Sequence, residues 1–111
     1  MPRAAQALVT TADSDLAQLE RKAAEAAGLL KLLANENRLL ILCSLAAGHE
    51  MSVGKLVDAV GLSQSALSQH LAKMRDEGLV ATRRQAQTVY YHIADDNAAR
   101  VLKLLKGIFC P

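Results

Sequence analysis

The chain carries two cysteines, Cys43 and Cys110, and neither belongs to a Cys-x-x-Cys pair. Two thiols in a reducing compartment are either inert small hydrophobes or a regulated pair. A different chemistry is offered by GLSQSALSQHLAKM, residues 61–74. Gln64, Ser65, Ser68 and Gln69 have short side chains that donate and accept hydrogen bonds, and glutamine can engage an adenine edge bidentately. Lys73, farther along, suits a phosphate. His70 lies between Leu67 and Leu71, so it reads either as a histidine at the edge of the core or as a base or phosphate contact. Arg83, Arg84, Gln85 and Gln87 follow in TRRQAQT, cationic and polar side chains expected at a hairpin tip. There they can reach phosphates or a minor groove. On an arbitrary helix or hairpin, the same residues would simply be solvated.

Side chains of this kind need rigid elements to aim them. Leu16, Leu19, Ala23, Ala26, Leu30 and Leu33 recur at helical spacing and predict an amphipathic first helix from Leu16. Asn35 is a candidate N-cap for a second helix, RLLILCSLA, residues 38–46, whose nearly continuous apolar character predicts burial, Cys43 included. Gly48 ends it. Ser52 can cap a third helix over Val53 to Val60, and Gly61 supplies a left-handed C-terminal residue. Ser63 can then cap a fourth helix from about Gln64 to Glu77, with Leu67, Leu71 and Met74 on its inner face and Gly78 as its stop. Two β-prone stretches, Leu79 to Arg84 and Thr88 to Ile93, predict a hairpin. Its turn, Gln85-Ala86-Gln87, has neither Gly nor Asn, so a loop longer than two residues is expected. Asp95 or Asp96 opens a last helix with Val101, Leu104, Leu105 and Ile108 on its apolar side.

The predicted fold class is therefore mainly α with a β-hairpin wing, in the order α-α-α-α-β-β-α, a winged helix-turn-helix. Residues 16–111 form the expected domain, preceded by a flexible segment over 1–15. Only 3% of residues are aromatic and none is Trp, so the core must be built from Leu, Ala, Val and Ile packed between helices. The net charge of +2 is too small to announce a nucleic-acid partner by itself. Its distribution leans the right way, because residues 63–92 hold four basic and two acidic side chains. No run approaches the roughly 18 apolar residues of a membrane span, so a soluble cytoplasmic protein with no membrane partner is expected. The absence of a Cys-x-x-Cys pair, of a phosphate loop and of a His-Cys-acid set argues against an enzyme of thiol-redox type.

Residues 32–93, with NENRLLIL, GLSQSALSQHLAKMRDEGLV and TRRQAQTVYYHI, resemble the ArsR family of winged-helix repressors. The resemblance implies a homodimer, joined through its first and last helices, that binds double-stranded operator DNA. The apolar stripes of both terminal helices agree with that assembly. Many members of the family sense metals, through a Cys-x-Cys on the third helix or through carboxylate and His ligands at both ends of the last. SVGKLVDAV has no cysteine, DDNAARVLKLLKGI has neither His nor Glu, and His49, His70 and His92 show no ligand spacing. No metal site and no resident cofactor are expected. The cysteines in LLILCSL and FCP resemble those of a subgroup, the persulfide-responsive, biofilm growth-associated repressors. That resemblance implies a switch in which reduced Cys43 and Cys110 permit operator binding, while reactive sulfur species or an oxidant link them and lower DNA affinity. Alternatives remain: haem sensing at the Cys110-Pro111 dipeptide, a metal-responsive repressor, or a winged-helix module that contacts another protein.

Overall fold

The computed structural model describes the backbone of residues 9–110 and the side chains of residues 15–110. Two compact units divide the chain before Leu33. The first is carried by helix α1 (Val9–Leu33). It begins ahead of the expected Leu16, because TTADSD contains neither Gly nor Pro to stop a helix. Residues 1–8 of the segment expected to be flexible lie outside the described residues. Leu16, Leu19 and Leu30 of the apolar stripe are all more than half exposed.

The second unit begins with α2 (Glu36–Gly48), which Asn35 caps by accepting a hydrogen bond from the Arg38 N–H at 3.1 Å. Strand β1 (Met51–Ser52) leads directly into α3 (Val53–Val60), where Ser52 both ends the strand and caps the helix. Gly61 closes α3 at φ 75° in the left-handed region. Ser63 caps α4 (Gln64–Asp76) through the Ala66 N–H at 3.1 Å, and Gly78 at φ 78° turns the chain into β2 (Val80–Gln85). Strand β3 (Thr88–Ile93) returns, and Asp95 caps α5 (Asp96–Phe109). The sheet is antiparallel in the order β1-β3-β2, so the hairpin gains a short third strand that pairs Met51 with Tyr91 and Ser52 with Tyr90.

Ile41, Leu42, Leu45, Leu56, Leu67 and Leu71 are at most 1% exposed and form the centre of this unit, with Met74, Leu79 and Leu102 around them. On each helix they share one stripe, so α2, α3, α4 and α5 converge on one core. Burying each such side chain contributes about 1.5–3 kcal/mol. The polar group buried among them is Arg38, whose Nη1 meets Glu77 Oε1 at 2.8 Å. This pair ties the start of α2 to the C-cap of α4 and so fixes the tilt of α4 on the core.

Two expectations are corrected. The hairpin loop is tight: Gln85 pairs with Thr88, leaving Ala86 and Gln87 as a two-residue turn. Ala86 takes φ 56° in the position that usually demands Gly, because the register of two well-paired strands outweighs the local preference. The second helix is also not buried all round. Its packed stripe is Arg38, Ile41, Leu42 and Leu45, whereas Leu40 and Cys43 lie exposed on the other side. Apolar composition alone cannot tell a buried helix from one with an unpartnered apolar face. No helix among the described residues is long and apolar enough to cross a membrane.

Candidate functional site

Helix α4 divides cleanly into two faces. Leu67, Leu71 and Met74 are fully buried and anchor it. Gln64, Ser65, Ser68, Gln69 and Lys73 are exposed together on the opposite face, with Ala72 between them, and His70 sits half-buried at the boundary. No side chain on this face protrudes beyond the length of Gln or Lys, which allows close approach to a groove. The tight turn through Gly78 sets the hairpin immediately beside the end of this helix, and α4 packs against β2.

The arginines of the hairpin separate into different roles. Arg83 is not at the tip but inside β2, opposite Tyr90. Its Nε and Nη2 donate to the two carboxylate oxygens of Glu50, each at 2.8 Å, and Nη1 donates to Gln85 Oε1 at 3.0 Å. The guanidinium also lies 4.9 Å from the centre of the Tyr90 ring. Those hydrogen bonds hold the Glu50 carboxyl below its ordinary value, so the pair is intact above the usual carboxylate range and is lost as pH falls through the lowered value. Arg84 points the other way, is exposed, and has no ion pair among the described residues. The tip itself presents Gln85, Ala86 and Gln87 to solvent. Glu50, in the loop before β1, is a wing-positioning residue that the sequence reading passes over. An isolated acid in GHEMS carries no local signal of a partner more than thirty positions away.

The two cysteines lie on neighbouring helices. Helices α2 and α5 pack against each other, and Cys110 is the C-cap of α5, its N–H donating to the Lys106 carbonyl at 2.8 Å. The two thiols are close enough that negative charge on Cys110 acts on Cys43. Burial against the protein pushes the Cys43 thiol above its ordinary value, the Cys110 charge adds to the rise, and the Lys106 ammonium opposes it. Cys43 is exposed as a residue but also lines a cavity of about 480 Å³. Its other walls are apolar, from Leu45, Ala46, Ile93, Ala99 and Leu102, with His49, Lys103 and Lys106 completing the lining. His49 adopts φ 67° and ψ −55°, and the Glu50 N–H donates to the Gly48 carbonyl at 2.8 Å, a strained γ-turn between this cavity and the Glu50 clamp. Among the described residues no three His, Cys, Asp or Glu side chains are grouped to hold a metal ion.

A capped helix with a short-chain polar outer face, followed at once by a three-stranded wing, defines a winged helix-turn-helix DNA-binding protein. The profile of the bacterial regulatory protein, arsR family, matches residues 35–82, from the α2 cap into the wing. The HTH-type transcriptional regulator YgaV of Escherichia coli is 46% identical over 88% of this chain and 99% of its own. The transcriptional activator HlyU of Vibrio cholerae is 48% identical over 89% of this chain and 91% of its own. A structure of reduced HlyU from that organism superimposes with a TM-score of 0.77 at 48% identity, covering 85% of this chain and 98% of the other. A biofilm growth-associated repressor of Agrobacterium fabrum is 45% identical over 86% of this chain and 80% of its own. The chain belongs to the ArsR family: it is a DNA-binding transcriptional regulator and not an enzyme.

Proposed function

We propose that the protein is a homodimeric repressor that occupies a two-fold operator when Cys43 and Cys110 are reduced and leaves it when reactive sulfur links them. The observation that carries the sensing half is the packing of α2, which holds Cys43, against α5, whose C-cap is Cys110. Cys110 is exposed at the end of α5, whereas Cys43 lines a cavity, so the first attack is assigned to Cys110. The Cys110 thiolate attacks the terminal sulfur of an organic persulfide, RSSH, giving Cys110–S–SH and releasing RSH. Cys43 then attacks the inner sulfur of Cys110–S–SH and expels hydrogen sulfide, which leaves a Cys43–Cys110 disulfide. The dithiol loses two electrons and two protons to the persulfide sulfur, and no further oxidant is needed.

DNA reading falls to Gln64, Ser65, Ser68 and Gln69 for base edges and to Lys73, Arg84, Gln85 and Gln87 for phosphates, with His70 at the margin of the contact. Arg83 acts through the Glu50 clamp by holding the wing in place. Dimerisation is supported by the exposed apolar side chains Leu104, Ile108 and Phe109 on α5 and Leu16, Leu19 and Leu30 on α1. The relatives bear opposite names, one a repressor and one an activator. Operator occupancy serves either outcome, depending on whether the operator overlaps a promoter or the site of another repressor.

Intact-mass spectrometry of the reduced full chain treated with glutathione persulfide tests the sensing half. The expected product is a monomer lighter by two hydrogen atoms, with Cys43 and Cys110 joined in one peptide pair, or the same pair bridged by added sulfur. Persulfide adducts that never join the two cysteines would sink the dithiol switch while leaving operator binding untouched.

A further inference from the structure

The cavity beside Cys43 is larger than a dithiol switch requires. Its volume of about 480 Å³ falls within the roughly 300–1,000 Å³ of small-molecule sites, whereas two cysteines exchanging sulfur need room for only a few atoms. Its floor is hydrocarbon, from Leu45, Ala46, Ile93, Ala99 and Leu102. Its charged lining is of one sign: Lys103 and Lys106, one turn apart on α5, are exposed and have no ion pair among the described residues. Two like charges at this spacing repel along a helix, and no carboxylate lines the cavity to offset them. An inorganic anion would leave the apolar floor wet, and an uncharged hydrophobe would leave both ammonium groups without a partner.

We propose that this cavity is a reversible binding site for an amphipathic organic carboxylate, with the hydrocarbon body on the Leu45–Ile93–Leu102 floor and the carboxylate between Lys103 and Lys106. Cys43 forms one wall, so an occupant covers its thiol. The site therefore gives the regulator a second, non-covalent input that slows thiol chemistry when the carboxylate is abundant. It does not depend on the dithiol switch, since occupancy can be read from Cys43 alone.

The test uses octanoate as the probe and the full chain carrying Cys110→Ser, so that Cys43 is the reporting thiol. Its rate of alkylation by iodoacetamide is followed as octanoate is raised to the order of 5 mM. Saturable slowing is expected with octanoate, and octanamide, the uncharged analogue, should need at least roughly tenfold more for the same effect. Lys103→Gln with Lys106→Gln should move the octanoate midpoint up by a similar roughly tenfold factor, while circular dichroism reports an unchanged fold. Amide shifts in the parent protein give an independent readout, and they should concentrate at Ala46, Ile93 and Ala99. Absence of saturable slowing, equal protection by octanamide, or an unmoved midpoint in the lysine variant would each overturn the proposal.

Discussion

At the scale of single residues, the two wing arginines differ sharply although they are neighbours in sequence. Arg83 spends its donors on Glu50 and Gln85, while Arg84 has no ion pair among the described residues. Arg84→Ala is therefore expected to weaken DNA binding at every sequence and to lower the log-log salt slope by about 1, as loss of one phosphate contact does. Arg83→Ala should leave the salt slope nearly unchanged and loosen the wing, seen as faster amide exchange over residues 80–93. Titrating duplex DNA against each variant at several salt concentrations separates the two. The thiol behaves just as individually. Because the Cys43 value is raised from 9.0, its alkylation rate keeps climbing as pH passes that point and does not level off below it. Cys110→Ser removes a repelling charge and should shift this profile to lower pH. Lys106→Met removes an attracting charge and should shift it upward.

Elements are held by a few long-range contacts whose loss has calculable consequences. The Arg38–Glu77 pair is largely buried, with side-chain exposures of 10% and 25%, so Glu77→Ala removes the carboxylate that neutralises a buried guanidinium. A loss of about 3 kcal/mol is expected in urea unfolding, with Arg38→Met on the same background recovering part of it. The wing turn offers the opposite experiment. Ala86→Gly relieves a positive φ and should raise stability by up to about 1 kcal/mol, provided the strands keep their register. These two sites also show what a single sequence can and cannot reveal. Asn35, Ser52, Ser63 and Asp95 are readable as caps because a cap acts within three residues. The buried and exposed faces of α4 are readable for the same reason, through helical spacing. Strand β1 has only two residues and no periodicity, and the carboxylates that pair with Arg38 and Arg83 are more than thirty positions away. The tight turn at Ala86 breaks a local rule because the pairing on both sides imposes it. Cys43 is misplaced by composition, since an apolar run says nothing about which side of it finds a neighbour.

For the whole molecule, the proposed dimer would cover the exposed apolar side chains of α1 and α5. Leu104→Glu with Ile108→Glu is expected to give a folded monomer by sedimentation, with operator affinity lost because half-sites are no longer bound together. The regulatory account then rests on a change of state within each subunit. A crosslink from α2 to the C-cap of α5 alters DNA affinity only if it fits the bound and free arrangements unequally. The Gly48–Glu50 γ-turn offers a route for that difference, since it joins the end of α2 to the Glu50 clamp on the wing. The most direct measurement is fluorescence anisotropy of a duplex selected by the reduced protein, recorded before and after addition of glutathione persulfide. The parent should release the duplex, with reducing agent restoring binding, while Cys43→Ser and Cys110→Ser each stay bound. Release of the duplex by both variants, at the same persulfide concentration as the parent, would contradict the dithiol switch.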